Sequence, residues 1–382
     1  MINKTKIAII FLLIILCIPL NVYAMDVNSN ELEINAKSVV LMDANTGTVL
    51  YEKNKDEKLP PASVTKIMTL LLVFEALDEG RIKLDDMVTV SENAASMGGS
   101  QIFLEPGEQM CVEDLIKSVV IASANDGAVA LAEYVGGSEE SFVYMMNKRA
   151  RELGMTNTFF ENATGLDDDT SLHLTTAYDI ALMSQELLKH EKITDYTTIW
   201  MDTVRNGEFG LSNTNKLIRF YRGATGLKTG STSKAGFCIS ATAKRDGLHL
   251  ISVIMGSDTS QIRNATAVKL LDYGFARYEI YNNANTELDP VSVSNGKTDY
   301  VNVKHDGYDI LIPKGKGSNI EKEIKLNENI KAPLKNGDVV GSIIYKLDGE
   351  IIGEDNIYCT ESVEKIDFIW YISSVFKKFV LN

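Results

Sequence analysis

Histidine and cysteine are scarce in this chain, and neither is spaced for a metal. The four histidines, His173, His190, His249 and His305, are scattered, and no Cys-x-x-Cys pair occurs. No metal site is expected, and no motif calls for another cofactor. Gly-x-Ser-x-Gly is absent too, which disfavours a Ser-His-Asp hydrolase built on a nucleophile elbow. Positive charge is in short supply: 38 Lys and Arg against 52 Asp and Glu leave a net charge of −14. That balance argues against nucleic acid as a partner.

Long apolar runs are also few. The one that stands out, Ile7–Leu20, follows Lys4 and Lys6 and precedes Val22-Tyr23-Ala24, with small residues where a signal peptidase reads. It reads as a secretory signal peptide over residues 1–24, cut after Ala24. The run is short for a membrane anchor, and Pro19 interrupts it. Ile15-Leu16 before Cys17 are too large for a usual lipoprotein signal. Cleavage leaves Cys111, Cys238 and Cys359, which make no disulfide framework and are expected as buried free thiols.

What is present is enough for two domains in 382 residues, with an ordinary globular balance of apolar and charged residues. Ser38–Glu52 reads as a hairpin turning through Asn45-Thr46-Gly47. Pro60-Pro61 then stop the chain before a run, Ile67–Leu77, that is apolar on nearly every side and predicts a buried helix. Helices are expected over Val112–Ile121, from about Gly127 to Tyr134, over Glu139–Leu153 behind a Ser138 cap, and over Ala177–Leu188 behind Thr175 or Thr176. The pattern turns to strands at Leu227–Thr229, Phe237–Thr242 and Leu248–Met255, and closes with a helix over Asn264–Phe275. These elements predict one α/β (α+β) domain, residues 25–277, whose antiparallel sheet pairs both ends of the segment. Residues 278–362 read as a small all-β domain with short strands at Tyr300–Val303, Asp309–Ile312, Glu323–Leu326, Val339–Tyr345 and Glu350–Ile352. Residues 363–382 place Ile366, Ile369, Trp370, Phe376 and Phe379 near helical spacing beside Lys365, Lys377 and Lys378. The stretch is too short to span a bilayer and reads as an amphipathic helix lying on a membrane surface.

The chemistry centres on Ser63-Val64-Thr65-Lys66. Three residues apart at a helix start, hydroxyl and amine share a face. An amine buried there must be paired or lose its proton, and a neutral lysine can activate a serine. Ser-x-x-Lys alone is weak, since it recurs at Ser231–Lys234, Ser362–Lys365 and Ser374–Lys377. Two further motifs follow the first in order: Ser123-Ala124-Asn125 between two helices, and Lys228-Thr229-Gly230 on a predicted strand. Such a triplet, with Ser-Asp-Asn as its middle member, is a known signature of class A β-lactamases and penicillin-binding proteins.

With these motifs, and with Asp43–Gly47, Ser123–Ala130 and Gly226–Thr232, the sequence resembles the low-molecular-mass penicillin-binding proteins, serine-type D-alanyl-D-alanine carboxypeptidases of peptidase family S11. The resemblance covers nearly the whole chain. It implies a five-stranded antiparallel sheet covered by helices, with the active site between sheet and helical lobe. It implies that Ser63 attacks the carbonyl between the terminal D-alanines of a peptidoglycan stem peptide and that Lys66 takes its proton. Ser123 would relay a proton to the leaving amine, and Asn125 would hold the substrate's amide. Lys228 and Thr229 would bind the terminal carboxylate, and Gly230 would let substrate lie against the strand edge. The N–H groups of Ser63 and Ser231 would form the oxyanion hole. Arg263, 35 residues after Lys228, sits where the family often carries a carboxylate-binding arginine. β-Lactams would be covalent inhibitors, and the protein would act outside the cytoplasm, peripheral on the membrane's outer face. The alternatives are a serine β-lactamase or a non-enzymatic penicillin sensor. The first normally carries an acid in a Glu-x-x-Leu-Asn pattern, absent here between Ser123 and Lys228; the second normally follows several membrane spans.

Overall fold

The computed structural model describes residues 32–167 and 171–380; the predicted signal peptide lies outside them. Five antiparallel strands form the first sheet, in the order Val49–Lys53, Ser38–Asp43, Leu248–Ser257, Gly236–Arg245, Ala224–Thr232. The early hairpin thus pairs directly with the late strands, Val39 opposite Ile254 and Leu41 opposite Ser252. The hairpin turns where expected because the Asp43 carboxylate accepts from Thr46 N (2.9 Å) and Thr46 Oγ1 (2.7 Å), with Gly47 at φ 73°.

Side-chain alternation explains why these strands are apolar on both faces. Val40 and Met42 pack into the helical lobe, whereas Val39 and Leu41 pack on the other side against Leu270 and Leu271 of the Ser260–Arg277 helix. The Lys66–Asp78 helix runs through the middle of the lobe, with every residue from Lys66 to Phe74 buried. That burial accounts for its lack of a polar face. The helices Val112–Ile121 and Ala177–Leu188 occupy the expected residues, the second capped by Thr176 Oγ1 accepting from Asp179 N. The helix after Ser123 starts earlier than expected, at Asn125, and ends at Gly136 before left-handed Gly137. Several short elements escape the sequence reading, among them the helices Glu92–Ala95, Ile193–Thr197 and Leu217–Phe220, the strand Gln109–Cys111 and the hairpin Met201–Val204/Phe209–Ser212. None is long enough to display a period.

A second five-stranded sheet follows, in the order Tyr278–Ser292, Tyr300–Pro313, Glu350–Cys359, Val339–Leu347, Ile320–Leu326. Its strands are longer than expected, and Tyr278–Ser292 was not anticipated because its middle, Asn282-Asn283-Ala284-Asn285, lacks β-branched residues. Asp348-Gly349, both at positive φ, make a two-residue hairpin turn, whereas Asn336-Gly337 only leads into a strand. Val363 and Lys365 bridge back to Leu334 and Gly296, and a last helix covers Phe368–Val380. Cys111, Cys238 and Cys359 are free thiols, the last two buried. Among the described residues no helix is long and apolar enough to cross a membrane.

Candidate active site

Ser63 lies in a 3-10 turn, Ala62–Thr65, that runs straight into the Lys66–Asp78 helix. The turn sets the hydroxyl over the amine: Lys66 Nζ donates to Ser63 Oγ at 3.1 Å. The same nitrogen donates to Asn125 Oδ1 (2.5 Å) and to the Thr164 carbonyl (2.8 Å). Lys66 is fully buried, and among the described residues no carboxylate pairs with it. Burial therefore pushes its pKa well below the ordinary lysine value, and the nearby Lys228 charge pushes the same way; only Asp126 opposes. The Asp126 carboxylate is itself taken up by the N–H groups of Ile102, Leu104 and Gly127.

The second motif faces the first. Ser123 sits at φ 63°, a left-handed conformation that costs a non-glycine residue on the order of 1 kcal/mol. That conformation ends the Val112–Ile121 helix and turns Ser123 Oγ toward the sheet, where Lys228 Nζ donates to it at 2.8 Å. Lys228 also donates to the Thr229 carbonyl (2.8 Å) and is buried without an acidic partner. Burial, then the charge of Arg263, lowers its pKa to about 7. Thr229 Oγ1 donates to Thr214 Oγ1 at 2.8 Å.

Asn125 has partners inside the protein: its oxygen accepts from Lys66, and its nitrogen donates one of its two N–H groups to the Gly98 carbonyl at 2.7 Å. It thus holds the lysine through its oxygen. Gly230 has a different reason for being glycine. A Cβ there would lie 2.8 Å from Ser63 N and 2.9 Å from Val64 N, so the missing side chain lets the strand close on the nucleophile's own turn. Gly165 does the same from the other side, where a Cβ would fall 1.8 Å from the Ala62 carbonyl oxygen.

Ser63, Ser123, Thr229, Gly230, Ser231 and Arg263 line one cavity of about 250 Å³. Arg263 is buried, donating to Asn264 Oδ1 (3.1 and 2.9 Å) and the Cys238 carbonyl (3.4 Å), with no carboxylate partner among the described residues. Burial lowers even its guanidinium pKa to about 10. Lys66, Lys228 and Asn125 stand just behind the wall, joined to it through Ser63 and Ser123. Sequence reasoning missed Thr214, Lys216, Ser260 and Asn264 on the same lining. It also missed the Thr164 carbonyl, a backbone group that no residue type advertises. The segment that supplies it, Glu161–Gly165, holds its shape through Asn162 Oδ1, which accepts from Thr164 N and Gly165 N. The Glu161 carboxylate is turned away, onto Ser171 N and Leu172 N.

Comparison with known proteins agrees with this arrangement. Residues 25–259 match the family model for D-alanyl-D-alanine carboxypeptidase, and residues 277–365 match that for the penicillin-binding protein 5 C-terminal domain. The D-alanyl-D-alanine carboxypeptidase DacF of Bacillus subtilis is 46% identical over 351 residues, 90% of each chain. The crystal structure of penicillin-binding protein 5 from Haemophilus influenzae superposes with a TM-score of 0.76 at 34% identity, covering 87% of this chain and 99% of that one. Penicillin-binding protein D2 from Listeria monocytogenes, in its ampicillin-bound form, gives a TM-score of 0.59 at 32% identity over 64% of this chain and 99% of that one. A two-domain chain with Ser63 over an unpaired buried lysine therefore belongs to the D-alanyl-D-alanine carboxypeptidase family.

Proposed function

We infer that this protein is a serine D-alanyl-D-alanine carboxypeptidase that removes the terminal D-alanine from peptidoglycan stem pentapeptides through an acyl-enzyme on Ser63. The observation that carries the assignment is the 3.1 Å contact between Lys66 Nζ and Ser63 Oγ, made by an amine whose pKa burial lowers well below the ordinary lysine value. Lys66 takes the hydroxyl proton as Ser63 Oγ bonds to the carbonyl carbon between the two D-alanines. The bond to the leaving nitrogen then breaks as Ser123, hydrogen-bonded to Lys228, gives its hydroxyl proton to that nitrogen and takes up the proton held by Lys66, which returns to its neutral form. Water, deprotonated by the same lysine, attacks the ester and frees Ser63. Arg263, Thr229 and Lys228 attract the terminal carboxylate, a role supported by their burial without acids. The Thr229 carbonyl is taken by Lys228 Nζ at the open edge of the sheet, and strand alternation turns Ser231 N–H to the same side. Ser231 N–H and Ser63 N–H are then the donors for the oxyanion.

The geometry favours a carboxypeptidase over a β-lactamase. Among the described residues Lys66 is hydrogen-bonded to Ser63 Oγ, Asn125 Oδ1 and Thr164 O and to no carboxylate that could serve as a hydrolytic base. β-Lactams should therefore acylate Ser63 and leave slowly. The apolar run at the N-terminus and the C-terminal helix support export and a peripheral place on the outer face of the cytoplasmic membrane. Ser63→Ala tests the assignment: free D-alanine released from a pentapeptide should fall by about three orders of magnitude or more. A mutant that keeps its rate removes Ser63 from the mechanism. Mass spectrometry after penicillin treatment should show one adduct, on Ser63.

A further inference from the structure

Lys216 was not singled out by any motif, yet it stands on the cavity wall. Its segment is held rigidly. Asn213 Nδ2 donates to the carbonyls of Thr197 and Ile199, and Asn215 Nδ2 donates to that of Gly226. Thr214 N donates to Ile121 O. The two asparagines are buried, and the residues alternating with them, Thr214 and Lys216, are exposed and line the cavity. Thr214 accepts from Thr229, so the segment is tied to the lysine-bearing edge strand. Among the described residues the Lys216 ammonium has no hydrogen-bond or ion-pair partner, and no carboxylate lines the cavity. In a chain of net charge −14, a wall whose described residues include two cations and no acid suits an anionic occupant.

We propose that Lys216 is a specificity-determining residue that contacts a carboxylate of the peptide substrate. The inference rests on the carboxypeptidase reading of the same site. Two carboxylates can supply the contact: the C-terminal one of the D-alanine, or a side-chain one further up the stem. Lys216 is exposed and shares no hydrogen bond with Lys66 or Ser123, so it acts on binding rather than on chemistry.

The test compares Lys216→Gln and Lys216→Arg with the parent protein on two pentapeptides, one with free side-chain carboxylates and one with those carboxylates amidated. D-Alanine release is read as KM and kcat separately. Calorimetric binding to the Ser63→Ala protein, with and without Lys216→Gln, gives a measure that needs no turnover. Lys216→Gln should weaken binding and raise KM about two- to fivefold at low salt, with the loss on KM and not on kcat. The difference should shrink in about 0.5 M salt, and Lys216→Arg should restore affinity. Persistence of the loss on the amidated peptide assigns the C-terminal carboxylate; its disappearance assigns the side-chain one. Equal binding and KM for Lys216→Gln and parent on both peptides overturns the proposal. Failure of the carboxypeptidase reading looks different: Ser63→Ala keeps releasing D-alanine, while the calorimetric comparison still reads Lys216.

Discussion

Both domains bury a polar cluster, and the two are built on opposite terms. In the sheet-and-helix domain Lys66, Lys228 and Arg263 are buried and hydrogen-bonded to hydroxyls, amides and carbonyls, with no carboxylate bonded to them among the described residues. In the β domain the buried His305 ring donates from Nδ1 to Asp355 Oδ2 at 2.9 Å, and the same oxygen accepts from Gly307 N. Nearby, Asn283 donates to Tyr345 OH and accepts from Lys322 Nζ at 2.6 Å. The second cluster matches donors to acceptors and lines no part of the Ser63 cavity. The first leaves cations without counter-charge beside a cavity. Burying a charge unpaired costs stability and shifts its pKa, so such a cluster persists where the shift is useful. Pairing marks a structural network, and its absence marks the site.

The largest break in this contrast comes from Lys66→Met, which keeps the volume and removes the amine. Turnover should fall by about three orders of magnitude, the scale of losing a proton acceptor. The pH profile adds a sign. In the parent, kcat/KM rises with pH as Lys66, its pKa lowered by burial, loses its proton and can accept from Ser63. It falls again on the alkaline side as Lys228, at about 7, loses the charge that attracts a carboxylate. Lys66→Met should lose the acid limb and keep the alkaline one. An acid limb that survives the substitution assigns the base to another group.

How much of this was legible before the fold is a question about local versus distant signals. The Val112–Ile121 and Ala177–Leu188 helices were readable because caps and period lie within a few residues. Ser63 and Lys66 were readable for the same reason, one turn apart on one buried helix start. The order of the three motifs then pointed to Ser123 and Lys228, which the fold joins at 2.8 Å across 105 positions. Asn125 was found and its partners were not, because an amide's use depends on what folds against it. The Thr164 carbonyl left no trace in side-chain chemistry. Thr214 and Lys216 were hidden because their alternation with Asn213 and Asn215 occupies only four residues outside any strand or helix. Gly230 was recognised as special, but its contact, the Ser63 turn, lies more than 160 positions away.

A smaller effect on turnover should come from breaking the paired cluster. Asp355→Asn leaves the His305 donor facing a weaker acceptor and should lower the unfolding free energy of the β domain by about 1–3 kcal/mol. D-Alanine release should stay within about twofold of the parent, because the group touches no part of the Ser63 cavity. Denaturant unfolding and the release assay on the same preparation check both halves. A fall in kcat/KM at temperatures where the protein is fully folded would show that the two domains are coupled through more than the chain that links them.

The smallest effect on catalysis belongs to the C-terminal helix, where the comparison reaches its limit. Phe368, Ile369, Tyr371, Ile372 and Phe376 are exposed on Phe368–Val380, so the helix does not bury its apolar residues against the β domain. Its base is nevertheless fixed: Ile366 N donates to Asn295 O, and Lys297 reaches both Glu364 and Asp367. A fixed base carrying an exposed apolar helix, with Lys377 and Lys378 in its sequence, fits a lipid surface. Removing residues 368–382 should therefore abolish sedimentation with vesicles containing anionic lipid while kcat/KM on a soluble pentapeptide stays unchanged. The cut falls after the Val363 and Lys365 bridges, so the β domain keeps its closing contacts. If the truncated protein still sediments with vesicles, the anchor lies elsewhere and the exposed helix needs another partner. If it loses turnover, the tail reaches the Ser63 cleft, contrary to the separation of roles argued from the two clusters.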